Sequence, residues 1–296
     1  MNILITGSKG QLGLELANLG HQFPNLTLFC TDKFSLDILN FEEAEQYVLK
    51  NNIDAIVNCA AYTDVNKAEE EFEKADEVNH LAVRNLGLIA KKHHLKLIHI
   101  STDYVFDGNS EIPYKETDAT NPQNAYGISK LNGEKALLEI NPKHSIIIRT
   151  SWLYSAFGNN FVKSMLKLSK EKESITVVSD QIGSPTYAKD LALAILQIMP
   201  EINNKNLEIY HYANKGKCSW YNFASAIMKI AQRNCEVLPI PSSAYKTKAK
   251  RPKYSLLDTD KIRHTFNLEI PNWENALWEC VLKLEGPPNP RRGTER

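Results

Sequence analysis

Three glycines, Gly7, Gly10 and Gly13, recur at every third position directly after the apolar run NILIT (2–6) and open an amphipathic stretch (11–19). Glycine at these places lets a chain leave a strand in a tight turn, bring its backbone close to a ligand and start a helix packed near the strand. The N–H groups at the head of that helix then face outward, ready for a pyrophosphate. A glycine triplet alone is a common turn, so its context decides the reading. Further strand-length apolar runs follow at 26–31 (LTLFCT), 55–60 (AIVNCA), 95–101 (LKLIHIS) and 145–150 (SIIIRT). They lack strict polar alternation, as strands covered on both faces do. Between them lie helical patterns at 11–19, 41–51, 73–92 and 125–139. Strand–helix–strand repeats at this spacing predict an α/β fold, a doubly wound parallel sheet of the Rossmann type.

The rhythm changes near residue 152. Helices around 160–172, 188–199 and 220–233, a strand at 175–179 and proline-rich connections predict a smaller C-terminal substrate-binding region. The expected division is 1–152 for the dinucleotide-binding domain and 153–285 mainly for substrate, with part of the latter free to return to the Rossmann sheet. The last stretch, 286–296, carries three prolines and no apolar period, and is expected to be a disordered tail.

Composition narrows the function by exclusion. Lys plus Arg and Asp plus Glu both number 35, so the basic excess of a nucleic-acid binder is missing. The one basic cluster, 246–253 (KTKAKRPK), is short and reads as a solvated loop or a site for a small anion. No apolar run approaches the roughly 20 residues of a membrane span. Five cysteines, an odd number without a C-x-x-C pair, give neither a disulfide framework nor a zinc signature. The expectation is a cytoplasmic protein with no nucleic-acid or membrane partner.

An acid that binds the adenosine ribose is expected about 20 residues beyond the glycines, at the end of the second strand. Asp32 stands there, followed by Lys33; the acid favours a free 2′-hydroxyl and the lysine a 2′-phosphate, so NAD and NADP both stay open. Asp37 and Ile38 lie where an adenine is capped, or in a plain surface turn. Tyr126 is followed four residues later by Lys130, and it alone of the twelve tyrosines has a lysine at that spacing. On a helix the two share one face. A nearby cation stabilises a phenolate, so the pair fits proton transfer to a carbonyl. At the end of the fourth strand, Ser101, Thr102 and Asp103 supply hydroxyls and an acid where doubly wound sheets bind ligands. Thr102 can polarise a carbonyl oxygen while Tyr126 protonates it.

The glycine motif, the Tyr-x-x-x-Lys pair and the strand-end hydroxyl together resemble the extended short-chain dehydrogenases/reductases. Five longer strings are similar to those of the dTDP-4-dehydrorhamnose reductase family: VNCAAYTDVNKAE (57–69), HISTDYVFDG (99–108), ETDATNPQNAYGISKLNGEKAL (116–137), IIRTSWLYSAFGNNF (147–161) and DQIGSPT (180–186). The resemblance runs from residue 1 to about 284. It implies reduction of the C4 carbonyl of a dTDP-6-deoxy-hexulose by NADPH, with NADH as the alternative. It implies further that Gly10, Gln11 and Leu12 hold the pyrophosphate, with Asp32, Asp37 and Ile38 at the adenosine half. Ala61, Tyr62 and Thr63 would line the nicotinamide side, and Thr102, Tyr126 and Lys130 would be catalytic. Thr102, Asp103 and Trp152 would meet the sugar, with Asn160 and Arg251 at the nucleotide diphosphate. Some family members are dimers with Mg²⁺ held by glutamates of both chains. Glu15 matches one such position, but Lys189 stands where a second acid is expected, so no metal site is expected and homodimerisation stays open. The alternatives are another nucleotide-sugar reductase or epimerase on the same scaffold, and a non-catalytic subunit like the regulatory subunit of methionine adenosyltransferase.

Overall fold

The computed structural model, which describes residues 1–287, begins β1 (Asn2–Thr6), α1 (Gln11–Leu19), β2 (Thr27–Cys30), α2 (Phe41–Lys50), β3 (Ala55–Asn58), α3 (Val65–Ala68), α4 (Phe72–Asp76), α5 (Ala82–His93), β4 (Lys96–Thr102), α6 (Ala125–Ile140) and β5 (Ser145–Thr150). It continues β6 (Leu153–Tyr154), α7 (Phe161–Glu171), β7 (Ser174–Val178), β8 (Ile182–Gly183), β9 (Thr186–Tyr187), α8 (Ala188–Ile198), β10 (Glu208–Tyr212), β11 (Cys218–Ser219), α9 (Trp220–Ile230), β12 (Glu236–Ile240), α10 (Asp260–Thr265) and α11 (Trp273–Glu285). The tail expected over 286–296 lies, apart from Gly286 and Pro287, outside the described residues.

Six parallel strands form the central sheet in the order β10-β5-β4-β3-β1-β2. Their consecutive apolar residues follow from burial on both faces, because neighbours along a strand point to opposite sides. Ile3, Ile5, Val57, Ile98 and Ile146 pack on Leu12 and Leu16 of α1 and Leu191 and Ile195 of α8. Leu4, Ile56, Leu97 and Ile147 pack on α2, α5 and α6 through Val48, Leu86 and Leu137. The doubly wound Rossmann-type fold expected from the sequence is the fold observed.

Strand order reverses about β1, with β2 on one side and β3 on the other. Ligands of such sheets bind beyond the carboxyl ends of the strands at that reversal. Gly7, Ala60 and Thr102 follow or end β1, β3 and β4 there.

Two features depart from the periodicity. The helix expected over 73–92 is interrupted by a π-helical turn, Glu77–Leu81, between α4 and α5. Its Asn79 is fully buried and grips the Tyr62 backbone, accepting from Tyr62 N at 2.9 Å and donating to Tyr62 O at 3.0 Å. Gly133 on α6 makes room, since a Cβ there would lie 2.1 Å from Asn79 O. The second departure is β10, a sixth sheet strand supplied from beyond residue 152 and paired with β5. Its sequence, EIYHY, carries too few aliphatic residues to announce a sheet strand. A separate apolar cluster joins α7, α9 and α11 to β7 through Phe223, Ile227, Leu277 and Val177. The strand expected at 175–179 is β7, which pairs with β12 outside the central sheet.

Candidate active site

Gly7 adopts φ +65°, and a Cβ on it would lie 2.6 Å from Ala60 N. A Cβ on Gly13 would lie 2.5 Å from Ser8 Cα, so α1 rests directly on the turn. Gly10 is the N-cap of α1; no side chain caps it and no acid stands in the first turn. The helix therefore keeps its leading N–H groups and its positive end for an anion. Gln11 is tied to the C-terminal region, accepting from Asn160 Nδ2 at 2.9 Å, while the Leu12 side chain enters the core and leaves only its backbone for a ligand. Because Gly13 touches backbone, Gly13→Ala is expected to weaken dinucleotide binding about tenfold or more, roughly 1.4 kcal/mol. Titration of the cofactor's fluorescence measures this.

Asp32 sits just beyond β2, its carboxylate accepting from Phe34 N and Ser35 N, both at 3.1 Å, and pairing with Lys9. The Lys9 hydrogen bond, helped by Ser35, lowers its pKa to about 2. Lys33 lies 5.1 Å from the exposed Phe34 ring and Lys9 5.9 Å from it. An acid flanked by two lysines can meet a ribose hydroxyl or a 2′-phosphate. Asp37 is exposed and accepts from Leu39 N at 2.9 Å, whereas the Ile38 side chain is turned into the core.

Tyr126 and Lys130 lie one turn apart on α6, whose start is fixed by Asn124 capping Gly127 N at 2.8 Å. Tyr126 packs edge-on against Tyr104, ring centroids 5.6 Å apart, and beside Tyr62, Ala68 and Ala125. Burial raises its pKa, opposed by a hydrogen bond with the Thr102 hydroxyl. Thr102 donates to Asp103 Oδ1 at 3.1 Å, and burial pushes Asp103 up to about 6 against the hydroxyls of Ser255 and Thr102. Thr102, Asp103 and Tyr126 thus stand together. Lys130 is 1% exposed, and its Nζ donates to Ile100 O at 2.6 Å and lies 3.4 Å from His99 Nε2. The cation is held at the sheet rather than against the phenol, so Tyr126 stays a protonated donor. Ala61, Tyr62 and Thr63 follow β3, and Tyr62 OH donates to Glu71 at 2.7 Å.

Sequence spacing gave no sign of what anchors α6. Glu134 is fully buried and takes Arg149 Nη2 at 2.7 Å and Nε at 3.0 Å, as well as the Ser101 hydroxyl. Arg149 in turn lies 5.0 Å over the Phe106 ring. These contacts lock the helix that carries Tyr126 and Lys130 onto β4 and β5.

On the opposite side, Trp152 has φ +48°, a conformation that a bulky residue adopts only under constraint. Its indole stacks on Trp220 at 3.7 Å with an 11° tilt, and Gly183 leaves room for it, since a Cβ there would lie 2.8 Å from the ring. Asn160 is a structural cap. Its amide N–H groups are taken by Gln11 and Ser155 O (2.7 Å), and its oxygen by Lys163 N (3.1 Å). The diphosphate contact expected of Asn160 therefore has no donor left to make it. Arg251 differs, because its Nε is buried without a hydrogen-bond partner. Its loop is tethered by Asn124 Nδ2 to Lys250 O at 2.8 Å and by Lys248 to Glu70, while Lys246, Lys248, Lys250 and Lys253 are exposed, as a solvated loop requires. Glu15 is buried and accepts from Ser155 at 2.6 Å, and Lys189 pairs with Glu279. Among the described residues no cluster of three His, Cys, Asp or Glu could hold a metal ion.

An uncapped glycine-rich helix start at the sheet's reversal, with Thr102 meeting Tyr126 beyond the next strands, defines an oxidoreductase that uses a nicotinamide dinucleotide. Residues 1–285 match the family model described as RmlD substrate binding domain. A dTDP-4-dehydrorhamnose reductase of Aggregatibacter actinomycetemcomitans is 42% identical over 284 residues, covering 93% of this chain and 96% of that protein. The crystal structure of the Clostridium acetobutylicum ATCC 824 dTDP-4-dehydrorhamnose reductase superposes with a TM-score of 0.90 at 38% identity, covering 96% of this chain and 99% of that one. That of the Bacillus anthracis str. Ames enzyme, in complex with NADP, gives 0.90 at 39% identity, covering 95% and 99%. The chain belongs to the RmlD family, the dTDP-4-dehydrorhamnose reductases.

Proposed function

We propose that this chain reduces the C4 carbonyl of dTDP-4-dehydro-L-rhamnose to give dTDP-L-rhamnose, with NADPH as reductant and Tyr126 as proton donor. The observation that carries the reading is the meeting of Thr102 and Tyr126, with Lys130 one turn along the same helix, in a chain that matches these reductases over its length. The glycine turn fits the cofactor's pyrophosphate, because it brings β1 and α1 together tightly and leaves the start of α1 without a capping side chain or a first-turn acid. When bound there, NADPH supplies the hydride that C4 accepts. The remaining chemistry falls to the chain. Burial keeps Tyr126 a phenol at neutral pH, the form needed to protonate the C4 oxygen. Thr102 turns its hydroxyl from Asp103 to the same oxygen and polarises the carbonyl. Lys130, fixed through Ile100 O one helical turn from Tyr126, returns by way of a bridging water the proton that Tyr126 gives up. Trp152, backed by Trp220, is the aromatic side chain for the sugar, and the Arg251 guanidinium the cation for the diphosphate. Residues 153–285 mainly serve the substrate, while 1–152 serve the cofactor. Five unpaired cysteines fit a reducing cytoplasm.

Deuterium placed on the transferred position of NADPH should appear once, at C4 of the sugar; unlabelled product, or label elsewhere, contradicts the reading. Lys9 and Lys33 beside Asp32 are the groups available to a 2′-phosphate. Lys9→Ala is expected to raise the KM for NADPH about tenfold, roughly 1.4 kcal/mol, with the KM for NADH nearly unchanged. Steady-state kinetics with both cofactors checks it.

A further inference from the structure

Behind Lys130 runs a line of buried polar groups that the reduction described above does not use. Thr6 Oγ1 donates to Asn58 Oδ1 at 2.6 Å, and Ala60 N donates to the same oxygen at 3.2 Å. Asn58 Nδ2 lies 3.0 Å from His99 Nδ1, and His99 Nε2 lies 3.4 Å from Lys130 Nζ. Asn58, His99 and Lys130 are all essentially shut off from solvent.

The line has only one consistent set of protons. Ala60 N–H is a donor of fixed identity, so the Asn58 amide must present its oxygen there and its nitrogen to His99. An amide nitrogen only donates, so His99 Nδ1 accepts. A neutral imidazole carries one proton, which then sits on Nε2. His99 is neutral, because burial and the adjacent Lys130 both push its pKa well below the usual histidine range. Its Nε2–H therefore points toward Lys130 Nζ. An ammonium has three donors and no acceptor, whereas an amine offers a lone pair.

We propose that His99 is a positioning residue of the reduction: held by Asn58, its Nε2–H confronts Lys130 Nζ, disfavours the ammonium and makes Lys130 a readier donor of the proton that restores Tyr126. The inference rests on the roles given above to Tyr126 and Lys130. Tyr126 gives its phenolic proton to the C4 oxygen, the Lys130 ammonium returns a proton to the phenolate through a bridging water and becomes an amine, and a proton from solvent, relayed by the same water, recharges the amine. Of the other groups facing Lys130, Glu134 from α6 acts in the opposite sense and favours the ammonium, the Cys59 thiol beyond β3 is kept neutral by burial, and the Arg149 charge from β5 is met by Glu134. Burial outweighs Glu134 and brings Lys130 down to about 8.

The ammonium is the working form, so activity falls as pH rises through that value. Removing a donor that opposes the ammonium moves the fall to higher pH. In His99→Phe the alkaline limb of kcat/KM should shift upward by roughly one pH unit, while His99→Gln, which keeps an amide N–H, should shift less. Nitrogen-15 NMR of the unmodified protein should show His99 protonated on Nε2 alone. An unmoved alkaline limb in folded His99→Phe overturns the proposal, and so does a proton on His99 Nδ1. Should His99→Phe not fold, the tautomer decides by itself. The tautomer is read without turnover, so its failure is distinct from a failure of the reductase reading.

Discussion

Tyr126→Phe is expected to lower kcat by about three orders of magnitude, within the range of 10² to 10⁴ ascribed to a positioned general acid, and to leave NADPH affinity within about twofold. The two halves of that expectation have separate physical origins. Phenylalanine keeps the ring that packs against Tyr104 and Ala125, so α6 and the cofactor cradle stay in place. Only the hydroxyl that meets Thr102 is lost. Thr102 remains as a hydrogen-bond donor to the carbonyl, which is why some turnover should survive. Single-turnover kinetics beside a cofactor titration separates the two effects. A loss of less than tenfold would mean that the proton comes from elsewhere.

Glu134→Ala is expected to destabilise the protein by about 3–5 kcal/mol, the usual consequence of removing one partner of a buried ion pair. Arg149 is 3% exposed, so its charge would have neither its carboxylate nor water. The Ser101 hydroxyl would lose its acceptor at the same time. Replacing both partners, as Glu134→Leu with Arg149→Met, should recover most of the loss, because the pair's worth lies largely in not leaving one charge alone. Urea midpoints of the single and double variants test this. Equal stability of Glu134→Ala and the parent protein would show that the pair does not clamp α6.

Much of the fold is legible in the sequence because burial on both faces writes itself as unbroken apolar runs, as in SIIIRT of β5. The glycine turn and the Tyr126–Lys130 spacing are legible for the same reason: each depends on residues a few positions apart. What escapes is set by contacts across the chain. Asn79 breaks the helix expected over 73–92 to hold Tyr62, 17 residues away, and nothing in the helical period marks it. Asn160 meets Gln11 across 149 residues, which makes an expected ligand contact a structural one. Lys130 shares a helix face with Tyr126, as its spacing requires, yet Ile100 O and His99 decide where its charge sits. β10 stays hidden because an edge strand such as EIYHY carries polar and aromatic residues that a central strand would not.

The most direct test of the central claim is to mix the protein with NADPH and dTDP-4-dehydro-L-rhamnose and follow the nicotinamide absorbance. One NADPH should be consumed for each dTDP-L-rhamnose formed, with no consumption when the sugar nucleotide is left out. A folded protein that binds NADPH yet consumes none in the presence of that substrate would contradict it.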